Sequence, residues 1–237
     1  MRVTWTIAGS LVTWSLVANL LIGERAYTGR NLLLTALLLV GWWRYRVATG
    51  RPELGDALAE VGLAPRQLAR GLAWGGGAFA LIAGAIGVGV LLADVIAPVG
   101  RLLEDQRAAG FADDVWFVAL VRIPLGTAVF EEVAFRGVLL AAALRWLSRW
   151  RAVAVSSIAF GLWHIAPTIV ALRINEVVVA SPGGLIAIGG AVVVTTIAGY
   201  AFCWLRLASD SLVAPILAHI GTNSVGLLAA VVAQGLL

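Results

Sequence analysis

Two adjacent glutamates, Glu131 and Glu132, lie in the otherwise apolar stretch "AVFEEVAFRGVLL" (residues 128–140). Arg136 follows Glu132 by four residues, so the two side chains share a helix face and can form an ion pair. Glu131 lies about 100° around the helix, where its own i+4 neighbour is Phe135. A carboxylate with no cation beside it is free to accept a proton, as a general base must. The spacing therefore predicts a supporting pair at Glu132 and Arg136 and a general base at Glu131.

The chain has two histidines, and both lie inside apolar stretches. His164 is in "FGLWHIAP" and His219 is in "PILAHIGTNS", where Asn223 follows four residues later on the same helix face. Taken singly, each group has a structural explanation, as a buried histidine, an interhelical hydrogen bond or an ion pair. Taken together, the acid pair, both histidines and the amide favour one internal site built from three helices.

The composition of the chain indicates that these residues lie in a lipid environment. Hydrophobic residues make up 61% of the chain and charged residues 13%, against about a quarter in an ordinary soluble domain. Such a chain cannot cover itself with polar surface, and its repeated apolar stretches are long enough to cross a bilayer. The sequence predicts an all-α, polytopic transmembrane helix bundle of about seven to eight spans. The expected spans are 4–22, 31–47, 71–97, 115–145, 152–172, 185–206 and 211–235.

The whole chain, 1–237, is expected to be a single integral-membrane domain with its catalytic motifs in a core at about 115–235. A more polar stretch at about 52–70 is expected to lie on the membrane surface as an amphipathic segment. Pro124 is expected to bend the long fourth span or to mark an earlier start. Arg122, beside it, would reach the membrane surface or pair with Asp113 or Asp114.

All 17 basic residues are arginine, and the net charge of +4 is spread over short loops, which argues against a nucleic-acid partner. With seven spans, ten arginines fall on the side of the N-terminus and five on the other. The positive-inside rule then places the N-terminus in the cytoplasm. A short-looped chain of this kind favours a bacterial cytoplasmic membrane. One cysteine, Cys203, excludes an internal disulfide and a cysteine-based metal cluster.

Three motifs in order resemble the CAAX-protease and bacteriocin-processing (CPBP, Abi) family of intramembrane endopeptidases. They are Glu131-Glu132-x-x-x-Arg136, Phe160-x-x-x-His164 and His219-x-x-x-Asn223, each in its own apolar stretch. The resemblance implies a peptidase whose site opens to the cytoplasm. It implies that Glu131 activates water, that His164 helps to hold that water, and that His219 and Asn223 stabilise the oxyanion. Glu132, Arg136 and Phe160 would support this geometry.

These residue types suit hydrolysis, which needs a base, a held water and donors where negative charge develops. Zinc is an alternative, since Glu131, His164 and His219 could hold it with water as a fourth ligand. The helical zinc motif His-Glu-x-x-His is absent, so glutamate catalysis without a metal or other cofactor is preferred. The expected partners are a peptide or protein substrate at the membrane and the lipid bilayer.

Other functions remain open at this point. A non-enzymatic scaffold or immunity factor could bind a partner through the same cavity. A proton-coupled transporter could use buried acids and histidines, but the sequence has no internal repeat of the kind that transporters show. Serine and aspartyl intramembrane proteases fit less well, because "GTNS" around Ser224 and the absence of Gly-x-Gly-Asp do not match their sites. The sequence does not identify the substrate or the oligomeric state.

Overall fold

The computed structural model describes residues 1–24, 26–50, 53–93, 95–104 and 106–237, and every regular element within these ranges is a helix. The all-α prediction is therefore confirmed. Pro52, where the predicted surface segment begins, and Arg25 and Arg51, which enter the charge count, lie outside the described residues. The helices are α1 (Arg2–Ile22), α2 (Tyr27–Ala48), α3 (Leu54–Val61), α4 (Leu68–Leu92), α5 (Ala97–Leu102), α6 (Gln106–Ala109), α7 (115–144), α8 (Arg149–Trp163), α9 (Ile165–Ile174), α10 (Pro182–Ser209) and α11 (Val213–Ala233).

Within the described residues, five helical segments are long and apolar enough to cross a membrane. They are Arg2–Ile22, Leu54–Leu92, Arg149–Ile174, Pro182–Ser209 and Val213–Ala233. The helices α2 and α7 are not among them, because polar and charged residues interrupt their apolar stretches. The expected count of seven to eight spans is therefore not confirmed, although helices occupy all seven predicted stretches.

The helix α7 is central to the fold because α1, α2, α8, α10 and α11 pack around it, while α4 packs against α11. Its apolar face joins α1 and α8 in a buried cluster that includes Phe130, Phe135 and Trp163. On another side, Val133 and Val138 pack with residues of α2, α3 and the start of α11. Glu131, Glu132 and Arg136 of α7 are thus buried among helices, which is how a polar group is kept away from lipid.

The course of α7 is unbroken but not uniformly α-helical. Two stretches, Val118–Ala128 and Val133–Leu139, have the wider turns of a π-helix, and Glu131 and Glu132 lie in the α-helical turn between them. Pro124 lies inside the first wide stretch, so the helix continues through the proline. A third wide turn, Gly221–Val225, follows His219 in α11. Wide turns of this kind occur often at functional sites, because they change which side chains share a face.

The predicted surface segment contains α3 and a short 3₁₀ turn, Pro65–Gln67. One face of α3 is buried through Ala57 and Val61, while Leu54 is exposed. Gly62 ends the helix with a φ of 82°, and a Cβ atom there would lie 2.5 Å from the guanidinium of Arg206. Only glycine combines that backbone conformation with so close an approach. The turn therefore fixes α3 against the end of α10.

Candidate active site

Glu132 forms the centre of a buried charge network. Its Oε1 atom accepts a hydrogen bond from an Arg136 guanidinium nitrogen at 3.0 Å, as the i+4 spacing predicts. The same oxygen lies 2.8 Å from Nδ1 of His219, on a different helix. Glu132 and Arg136 are fully buried and His219 is 3% exposed, so no solvent screens these contacts. Glu132 therefore links α7 to α11 at His219.

Aromatic rings surround the Arg136 guanidinium. Its carbon lies 3.9 Å from the ring centre of Phe160 and 5.1 Å from that of Phe202. Phe202 also stacks on His219, with the ring centres 5.4 Å apart and the planes 28° from parallel. A cation held against aromatic faces is stabilised by their quadrupoles, most strongly where water is excluded. Phe160 and Phe202 thus fix both partners of Glu132.

Glu131 is in a different environment from its neighbour. It is 6% exposed, and its Oε1 atom accepts a hydrogen bond from the indole N–H of Trp163 at 3.1 Å. Its other oxygen, Oε2, lies 3.9 Å from Nε2 of His219 and has no hydrogen-bond partner within the described part of the chain. A buried carboxylate oxygen without a partner is rare in proteins and is often part of a functional site.

His164 lies at the junction between α8 and α9. Its Nδ1 atom is 2.8 Å from the carbonyl oxygen of Phe160. Because a carbonyl only accepts, Nδ1 carries the proton and Nε2 is left as the acceptor of a neutral ring. The ring of Phe160 contacts both histidines, with its centre 4.5 Å from that of His164 and 6.1 Å from that of His219, so the two imidazoles lie near each other.

Asn223 lies one turn beyond His219, in the wide turn Gly221–Val225, and is half-buried. Its neighbours in that turn have internal partners: Thr222 donates to the Ala218 carbonyl and Ser224 donates to the Ala119 carbonyl. No described residue forms a hydrogen bond with the Asn223 side chain. Its amide is therefore available to a bound molecule.

Glu131, His164 and His219 are the residues that the zinc alternative requires to come together. Nowhere in the described ranges do three or more His, Cys, Asp or Glu side chains form a group that could hold a metal ion. Glu131 and His219 come together, with 3.9 Å between Oε2 and Nε2. Nδ1 of His164 faces the Phe160 carbonyl and Nδ1 of His219 faces Glu132, which leaves Nε2 as the free ring nitrogen of each histidine. Metal dependence therefore stays a prediction.

Sequence reasoning missed two residues of this site, Trp163 and Phe202. It also predicted the wrong partner for Arg122, which lies outside the site. Trp163 occupies an unspecified position of the second motif, yet it donates to Glu131, and Phe202, which stacks on His219, lies outside all three motifs. The one available signal was that a buried tryptophan N–H needs an acceptor. The expected pairing of Arg122 with Asp113 or Asp114 is wrong, because Arg122 pairs with Glu24 and lies over the rings of Tyr27 and Phe111.

Residues 113–225 match the family described as Type II CAAX prenyl endopeptidase Rce1-like. The match covers just under half of the chain and contains all three motifs, and it confirms the resemblance to CAAX proteases. No curated protein and no solved structure matches the chain.

The five apolar helices indicate an integral membrane protein, and residues 113–225 are similar to a family of membrane proteases. The match supports intramembrane proteolysis, a hydrolase activity on peptide bonds. It does not show a metalloprotease, and it says nothing about the orientation of the N-terminus or the source of the chain. The roles of Glu131, His164, His219 and Asn223 stay predictions.

Proposed function

We propose that the chain is an intramembrane endopeptidase that hydrolyses a peptide bond of a membrane-associated or hydrophobic peptide with water activated by Glu131, without a metal ion. The observation that supports this most directly is the buried Oε2 atom of Glu131, which has no hydrogen-bond partner within the described residues and lies 3.9 Å from Nε2 of His219. A single water molecule can bridge atoms at that separation.

Glu131 accepts a proton from the bound water as its oxygen attacks the carbonyl carbon of the peptide. The hydrogen bond from Trp163 holds Oε1, so that Oε2 faces the water. His164, with its proton on Nδ1, offers Nε2 as an acceptor for the second hydrogen of the water. Two acceptors thus orient one nucleophile.

The attack forms a carbon–oxygen bond and places negative charge on the former carbonyl oxygen. His219 stabilises it when its ring carries both protons, because Nδ1–H then faces Glu132 and Nε2–H faces the site. The free amide of Asn223 is the second donor. When the carbon–nitrogen bond breaks, Glu131 returns its proton to the leaving amine, and a carboxylic acid and an amine are released.

The family description suggests prenylated CAAX peptides as one substrate class. The arginine-only composition and short loops favour a bacterial source, where unmodified hydrophobic peptides are the better candidates. We therefore propose hydrophobic peptides at the membrane as the substrate class. Matched synthetic peptides with and without the prenyl group distinguish the two.

The test compares wild type, Glu131→Gln and the control Glu53→Gln, whose side chain is exposed and belongs to none of the three motifs. Membrane peptides from cells that express each form are compared by mass spectrometry, and purified protein is assayed on the peptides that differ. We expect Glu131→Gln to lower kcat by about 100- to 10,000-fold, the usual contribution of a general base, and the control to be unaffected. Full function of Glu131→Gln would exclude this mechanism and favour a non-enzymatic scaffold or immunity factor.

A further inference from the structure

Pro124 has no N–H to give to the carbonyls of α7. A π-helical turn pairs an N–H with the carbonyl five residues earlier, as the bond from the Val129 N–H to the Pro124 carbonyl illustrates at the end of Val118–Ala128. In that register the Ala119 carbonyl would receive the N–H of residue 124, and proline has none. Ala119 is 1% exposed, so water does not solvate the carbonyl. A buried carbonyl of this kind needs a donor from elsewhere.

Ser224 supplies that donor. Its Oγ atom lies 2.7 Å from the Ala119 carbonyl oxygen, which can only accept, so the hydroxyl donates. Ser224 is 6% exposed and 105 residues distant in the chain. The serine hydroxyl thus replaces the N–H that the proline lacks, and the bond joins α11 to α7.

The same bond fixes the turn that carries Asn223. On one side of this turn, Gly221 packs so closely that a Cβ atom would lie 3.1 Å from the ring of Phe79 in α4. On the other side, Ser224 bonds α7. The turn is therefore held from both sides. Among its polar side chains, Thr222 and Ser224 have hydrogen-bond partners, and the Asn223 amide has none within the described residues.

We propose that Ser224 is a positioning residue for the hydrolytic reaction: through the carbonyl that Pro124 leaves open, it sets the Asn223 amide relative to Glu131. This inference rests on the proposed function, because it assigns Ser224 a part in the same reaction. In this proposal Asn223 contacts the oxyanion, whereas the Ser224 hydroxyl hydrogen-bonds the Ala119 carbonyl. Ser224 therefore acts through another residue and is not a nucleophile.

Enzyme kinetics with a double-mutant cycle tests the inference on full-length protein. Ser224→Ala should lower kcat by about fivefold or more with KM within about twofold, because the Asn223 amide acts on charge that develops only in the transition state. Pro124→Ala restores an N–H at position 124, so in that background Ser224→Ala should change kcat by less than about twofold. Thr222→Ala is the matched control, since its exposed hydroxyl bonds only its own helix, and it should leave kcat unchanged.

An unchanged kcat in Ser224→Ala, or the same loss in both backgrounds, would overturn the inference. If Ser224→Ala alone fails to fold, recovery of folded protein on adding Pro124→Ala supports the bond, and failure to recover overturns it. The thermal unfolding midpoints of the four proteins separate this inference from the proposed function. If wild type cleaves no peptide, the proposed function fails and Ser224 loses its part in a reaction. The midpoints still report whether the Ser224 hydroxyl replaces the proline's missing N–H.

Discussion

Nδ1 of His219 lies 2.8 Å from Oε1 of Glu132, the oxygen that Arg136 also contacts. Oε1 of Glu132 therefore contacts both Arg136 on its own helix and His219 on another helix. The adjacent Glu131 meets Trp163 and the opposite side of the same imidazole ring. His219 is held between two carboxylates, and only the one at Glu132 is neutralised by an arginine.

Replacement of Glu132 should damage the fold more than replacement of Glu131. Glu132→Gln leaves the fully buried Arg136 without a counter-charge, so we expect the free energy of unfolding to fall by about 3–5 kcal/mol. Glu131→Gln keeps an oxygen that can accept from Trp163 and should cost less than half as much. Denaturant titrations of the three proteins in one detergent measure both losses. Equal losses would show that Glu132 has no special structural part.

Trp163→Phe keeps an aromatic ring in the buried cluster and removes the N–H that Glu131 accepts. A hydrogen bond to a charged group contributes about 1.5–3 kcal/mol, so we expect kcat to fall by about tenfold or more. Trp146→Phe, at an exposed tryptophan, is the control and should leave kcat unchanged. The comparison is made by initial rates on one peptide. An active Trp163→Phe variant with wild-type kcat would remove this hydrogen bond from the mechanism.

Chelators should leave activity intact. The side chains of Glu131, His164 and His219 do not form a metal group, so we expect no loss of rate after dialysis against EDTA or 1,10-phenanthroline. Metal analysis of the purified protein and an assay with added zinc complete the measurement. Loss of activity on chelation with recovery on zinc would establish the zinc-dependent alternative.

The charge distribution predicts a cytoplasmic N-terminus. Single cysteines at exposed positions in a Cys203→Ala background test it, because Arg66 and Arg101 are expected on opposite sides of the membrane. In intact cells an impermeant thiol reagent should label Arg101→Cys and not Arg66→Cys. Both should react after the cells are opened. The reverse pattern would place the N-terminus outside.

Local spacing predicts some of this site. The contact between Glu132 and Arg136 follows from their separation of four residues, and the structure confirms it at 3.0 Å. The convergence of Glu131 and His219 could be expected because lone polar groups in lipid need partners. Both inferences use only the helical repeat and the cost of burying charge.

Other contacts depend on how helices pack, which no local pattern encodes. The bond from Trp163 to Glu131 and the stacking of Phe202 on His219 join residues of different helices. The wide turns in α7 and α11 also escape prediction, because reasoning with i+4 neighbours assumes a uniform α-helix. The span count is not confirmed for a related reason: α2 and α7 are helices, but polar and charged residues interrupt their apolar stretches.

The hydroxyl of Ser15 in α1 donates to the Trp163 carbonyl at 2.6 Å, and Ala8 and Leu11 of the same helix cover Phe130 and Phe135. All of α1 precedes residues 113–225, the stretch that matches the family. The segment that matches the family is therefore shorter than the set of helices that packs around the site. A fragment limited to residues 113–225 would lack α1 and therefore its contacts with Trp163, the residue that donates to Glu131. The boundaries of the family match are thus not the boundaries of a unit that encloses this site.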